Sequence, residues 1–116
     1  MTEGERPADV KLPTGEAIDL AKLVQYVDGS IVSRTIAEND AGMLTVFAFD
    51  AGQGLSEHTA PFDAIVQILD GKAELTVGGR DLVAEAGQFI IMPAKVPHSV
   101  RAVRRFKMLL IMLRAA

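Results

Sequence analysis

The chain has 116 residues, 49% of them hydrophobic, a formal net charge of −3, and no cysteine or tryptophan. Such a length implies one domain that can bury about two thirds of its extended-chain surface, and the missing cysteines exclude disulfides, thiolate metal sites and cysteine nucleophiles. The acidic balance and the scarcity of aromatic side chains argue against nucleic acid as a partner. No apolar run of about 18 residues offers a membrane helix. Met1–Lys11 is polar, without a secretory core, so the cytoplasm is the expected compartment.

In chain order, residues 1–17 combine Gly4, Pro7, Pro13 and Gly15 with mixed charges and read as a flexible N-terminal tail or arm. Residues 18–116 read as the single folded domain. Leu20, Leu23, Val24 and Val27 fit one helical face, with Asp19 as a possible cap. A single helical turn followed by a strand fits equally well. After Asp28-Gly29 the pattern is strand-like throughout. Ile31–Ala37 and Met43–Phe49 are rich in β-formers and are separated by a turn at Asn39–Gly42. Gly52 and Gly54 mark a tight loop before His58. Ala64–Leu69 and Lys72–Val77 read as a hairpin turning at Asp70-Gly71, and Gly78-Gly79 as a second such turn into Arg80–Ala84. Phe89–Met92, His98–Val103 and Phe106–Leu113 complete the set.

About eight short strands at near-even spacing imply an all-β barrel or sandwich. No segment is long enough for helical crossovers, which excludes a parallel sheet. Several strands are apolar on successive residues, so both faces need cover. A second copy of the chain could supply it, and a homodimer is expected.

His58 and His98 are the only histidines. The stretch from Gly52 through His58, Ala60 and Ala64 to Gly71, followed by Gly87, Pro93 and His98, resembles the two-motif signature of the cupin family. Gly54–Asp63 and Met92–His98 are similar to segments of small single-domain bacterial cupins of the RmlC-like type. The resemblance implies a double-stranded β-helix, a mostly antiparallel jelly-roll barrel. It also implies a metal held by three histidines and one glutamate. Here Ala60 stands where the second histidine is usual, Ala64 where the glutamate is usual, and Lys95 where glycine is usual in the second motif.

Two imidazoles can begin a metal site, but zinc and non-haem iron sites ordinarily take three protein ligands. Asp63 is the nearest candidate to help His58 and His98 hold Fe, Mn, Ni, Cu or Zn, although strand alternation turns it away if Ala64 faces inward. Three readings follow. In the favoured one, a small apolar or carboxylate-bearing molecule binds in the barrel, against His58, His98, Asp63 and the space left by Ala60 and Ala64. In the second, a weakly held divalent metal serves an oxygenase or isomerase. In the third, the pocket is vestigial and the protein is a structural dimer. If there is catalysis, His58 is the candidate general base.

Overall fold

The computed structural model describes residues 9–114. Nine strands occur among them: β1 Asp9–Val10, β2 Ile31–Asn39, β3 Gly42–Phe49, β4 Gly54–His58, β5 Asp63–Val77, β6 Arg80–Glu85, β7 Phe89–Met92, β8 His98–Arg101 and β9 Phe106–Leu113. All pairings are antiparallel. The order β1-β2-β3-β9-β5-β8-β4, with β6 and β7 also flanking β5, curls into the half-barrel of a double-stranded β-helix. Residues 1–8 of the expected arm lie outside the described residues, while Asp9–Val10 pairs with Glu38 and Ala37 of β2. No helix among the described residues is long and apolar enough to cross a membrane.

The strand β5 organises the barrel. Its first half pairs with β9 and β7, and its second half with β8 and β6. The expected hairpin turn at Asp70-Gly71 is therefore absent. One 15-residue strand runs through that position. The pairing with β9 slips between Ile68 and Asp70, and Gly71 follows with φ +75°. A positive φ and an extra residue bend a strand sharply, and here the bend carries β5 from one wall to the other. A Cβ at Gly71 would fall against the Arg105 carbonyl and 3.1 Å from Phe106 Cα. The Gly78-Gly79 turn does form, with φ of 57° and 80°, as a type I′ turn requires.

Two apolar layers result. The inner one fills the barrel base around Phe49, Val66, Ile68, Leu75, Val100 and Phe106, with the Phe49 and Phe106 rings stacked 4.6 Å apart. The outer one joins Val24, Val46, Ala48 and Leu109 beneath Leu12, Leu20, Leu23 and Tyr26. The ambiguous Ile18–Val27 stretch contains one 3-10 turn, Leu20–Lys22, capped by the Asp19 carboxylate, with no strand after it. It is pinned to the sheet by polar contacts. Lys107 donates to the Ala21 carbonyl at 2.5 Å and lies over the Tyr26 ring. The Tyr26 hydroxyl donates to Asp70 at 2.5 Å. Arg105 bridges Asp50 and Asp28. Burial and then the Asp70 carboxylate push the Tyr26 phenol well above its ordinary pKa.

The covering segment leaves part of the outer face bare. Across β9, β5 and β7, Ile111 pairs with Ile65 and Ile65 with Ile91. Phe89, Ile91 and Leu113 are 63%, 57% and 51% exposed.

Candidate functional site

The His58 side chain reaches the lumen through a break in strand alternation. In β4, Leu55 stands opposite Val100 and His58 opposite His98, so three steps on one strand match two on the other. Strict alternation would have set Glu57 on the inner face and His58 outside. The bulge at Ser56-Glu57 resets the parity and turns the imidazole in, the re-aiming that bulges supply near functional sites. Period-2 reading of the sequence contains no sign of it. Gly54 lets β4 approach closely, since a Cβ there would lie 2.5 Å from the Val100 carbonyl.

His98 opens β8 and is 4% exposed, whereas His58 is exposed. Their Nε2 atoms are 3.1 Å apart and the rings meet edge to face. Each Nδ1 sits against a backbone carbonyl, Ser56 at 2.8 Å for His58 and Val96 at 3.1 Å for His98. A carbonyl only accepts, so both Nδ1 atoms carry hydrogen. Both Nε2 atoms are then left as acceptors facing one another. Two lone pairs at this distance repel unless a proton or another electrophile lies between them.

The remaining predicted site residues form the lip. Ala64 is buried among the inner core residues, so its methyl faces the lumen. Asp63 is exposed and its Oδ1 accepts the Ala94 amide at 2.8 Å. It braces the loop before His98 and does not reach the imidazole pair. The Ala60 carbonyl accepts the Lys95 amide at 2.8 Å, and the Pro97 carbonyl accepts the Gly78 amide at 2.8 Å. Lys95 holds φ 66°, the only positive value outside glycine among the described residues. A separate groove of about 260 Å³ lies at the β2–β3 turn and the end of β9, lined by Ala37, Met43, Leu44, Ile111, Met112 and Leu113 among others.

Among the described residues no group of three His, Cys, Asp or Glu could hold a metal. The three-ligand zinc sites and the two-histidine, one-carboxylate iron site need a donor that Ala60 and Ala64 cannot give. The residues present do not fit those centres, and no step is derived through one.

The cupin-domain family model matches residues 45–113, and the chain belongs to that family. It is a small single-domain cupin. A conserved Streptococcus pyogenes protein of unknown function superposes with a TM-score of 0.89 at 32% identity, covering 98% of this chain and 99% of that one. A Leptotrichia buccalis cupin 2 conserved barrel domain protein gives 0.81 at 36% identity, covering 84% of this chain but 47% of its own. A cupin superfamily protein from Desulfitobacterium hafniense gives 0.86 at 28% identity, covering 92% and 99%. No curated protein matches the chain in sequence.

Proposed function

We propose that this cupin holds a small molecule with an apolar body and a carboxylate, seated at the barrel mouth against His58 and His98. The carrying observation is the 3.1 Å approach of two Nε2 atoms whose Nδ1 partners are already fixed. A hydrogen bond at that distance takes one proton beyond the two neutral rings. A carboxylate is the natural complement of a pair that shares such a proton. Ala60 and Ala64 carry only methyl groups where the family pattern has longer side chains. Apolar walls with few convergent polar groups are the usual form of small-molecule sites.

The test is a thermal-shift series with aliphatic and aromatic carboxylates, each beside the matching alcohol and amine. A ligand at about 100 times its Kd adds about 2.7 kcal/mol, which raises Tm by several degrees in a domain of this size. Carboxylates should do so, and His58→Ala and His98→Ala should abolish the effect. Equal shifts from the alcohols, or full shifts in both variants, would overturn the reading.

We also propose a homodimer through the strip of exposed Phe89, Ile91 and Leu113 with half-buried Ile65 and Ile111 between them. A second copy suits it because an apolar strip is self-complementary under a two-fold axis and needs no opposite charge. The rest of that face is already covered by residues 12–26 of the same chain. Sedimentation at micromolar concentration should give a dimer that Ile91→Glu converts to a folded monomer. A monomeric wild type would remove the proposal.

A further inference from the structure

The proton inventory at the mouth leaves the imidazole pair without a free donor. Each Nδ1–H is held by a backbone carbonyl, that of Ser56 for His58 and that of Val96 for His98. The proton that joins the two Nε2 atoms lies between them, across 3.1 Å. A carboxylate only accepts, and it presents two oxygens. The pair therefore attracts an anion but aims no N–H at it, so a matching donor has to come from elsewhere on the rim. That rim is built by residues 58–63 and 93–98, joined through Ala60 with Lys95 and Asp63 with Ala94. Lys95 is the one Lys or Arg in the two segments.

The backbone at Lys95 argues against a side chain there. The Val96 amide donates to the Pro93 carbonyl at 3.3 Å, which closes a four-residue turn with Lys95 in third place. Lys95 has φ 66°, and Ala94 is not among the positive-φ residues. A positive φ at the third position alone is the type II pattern, which glycine or asparagine fits. A lysine there meets the Cβ clash of the left-handed region, and nothing in the turn offsets it. The turn cannot relax, because the Lys95 amide donates to the Ala60 carbonyl and the Ala94 amide to Asp63 Oδ1, each at 2.8 Å. The Lys95 side chain is exposed, and among the described residues no hydrogen bond or ion pair engages its ammonium. A side chain kept at a cost, with no polar contact inside the protein, points to a contact outside it.

We propose that Lys95 is the anion contact of the mouth. Its ammonium takes one oxygen of the ligand carboxylate while the other faces His58 and His98. The inference rests on the carboxylate reading and names the residue that selects an acid over the matching alcohol. The reach is sufficient. Summed bond lengths put the Lys95 Cα within about 7 Å of the Ala60 Cα and within about 9 Å of the His98 Nδ1. A lysine stem spans about 6 Å, and a carboxylate hydrogen-bonded on both oxygens bridges about 7 Å more. The ammonium offers three donors on a flexible stem, so one carboxylate can meet both partners.

The test is calorimetric titration of hexanoate and benzoate into the full chain, with the Tm of each ligand-free variant measured beside it. Lys95→Gln keeps the left-handed backbone and loses the charge. Its Tm should match the wild type, and both acids should bind about tenfold more weakly, between the effect of an exposed ion pair and that of a buried charged hydrogen bond. Lys95→Arg restores the charge and should bind within about threefold of the wild type. Lys95→Gly should raise Tm by about 2–5 °C through relief of the turn, yet lose the same tenfold in binding. Stability and affinity then move in opposite directions, which a lysine tolerated by the turn for no purpose does not give. A lowered Tm in Lys95→Gly, or Lys95→Gln that binds as the wild type does, would defeat the proposal. If that happens while His58→Ala still abolishes binding, the role of Lys95 fails alone. A wild type that binds neither acid removes the carboxylate reading and the role of Lys95 with it.

Discussion

The imidazole pair can be tested as a pair by a double-mutant cycle on His58 and His98. The two single changes differ in kind. His58 is exposed, so His58→Ala removes little packing, but it strips the Nε2 partner from a ring that is 4% exposed. Leaving a buried polar atom unsatisfied costs about 1–3 kcal/mol. His98→Ala removes the same contact, the bond to the Val96 carbonyl and a buried ring. A cost of about 3 kcal/mol or more follows from the cavity and the lost bonds together. The shared contact can be lost only once. The double variant should therefore fall short of the sum by about 1–2 kcal/mol, within the range for residues in direct contact. Urea unfolding of the four proteins supplies the cycle, with unchanged m-values as the check that the unfolded states are comparable. Coupling below about 0.5 kcal/mol, the scatter of independent sites, would refute the pairing. The proposed ligand site would lose its geometric premise with it.

Gly71→Ala should cost more than about 3 kcal/mol, because the left-handed backbone penalty is about 1–2 kcal/mol and the new Cβ also meets the Arg105 carbonyl and Phe106. Gly79→Ala is the control: φ is +80° but the space is open, so about 1–2 kcal/mol should suffice. Equal costs in denaturant melts would deny Gly71 its role as corner. The Tyr26 phenol has a raised folded-state pKa, so its stabilisation is complete below the unfolded value of about 10 and is lost as pH climbs through the folded one. Tm of the wild type should thus fall more steeply above pH 10 than that of Tyr26→Phe, and parallel curves would refute the latch. The Asp50 carboxyl is held below its ordinary value, first by Arg105 and then by the Gly29 amide. Its contribution is present above the unfolded value of about 3.9 and is lost as pH falls through the folded one, so Arg105→Gln should flatten the acid limb of the Tm profile.

Local chemistry explains which parts of this fold were legible. Phe89–Met92 and Phe106–Leu113 form as their composition predicts, and Gly78-Gly79 turns because two adjacent glycines supply two positive φ values. Asp70-Gly71 carries the same kind of signal and is spent differently. Glycine supplies its positive φ at a bulge, and the long-range partners β9 and β8 decide that the chain continues instead of reversing. The two histidines were visible from their rarity and spacing. Their convergence was implied by the family resemblance and is found, but the Ser56-Glu57 bulge that delivers it was not legible, since alternation alone would have turned His58 outward. Asp63 was assigned to the pocket by nearness in sequence, and the structure adds a bond from the Ala94 amide to its Oδ1 that composition could not foretell.

The lip of the barrel bears on whether the pocket is vestigial. Lys95 keeps a left-handed conformation that costs a side-chain-bearing residue about 1–2 kcal/mol. Such strain persists only where the surroundings over-determine it, and it concentrates at functional sites. Here the surroundings are the Ala60 carbonyl, the Asp63 carboxylate and the Gly78 amide, each holding a different residue of the 93–97 loop at 2.8 Å. The same loop presents the Val96 carbonyl that fixes the His98 tautomer. A barrel needed only as a dimer scaffold could close over Ala60 and Ala64 with larger apolar side chains and relax Lys95 to glycine. Instead the strained loop, its three clamps and the bulge under His58 all serve to hold two imidazole edges toward one point. That concentration of constraint is the physical reason for assigning the mouth a ligand.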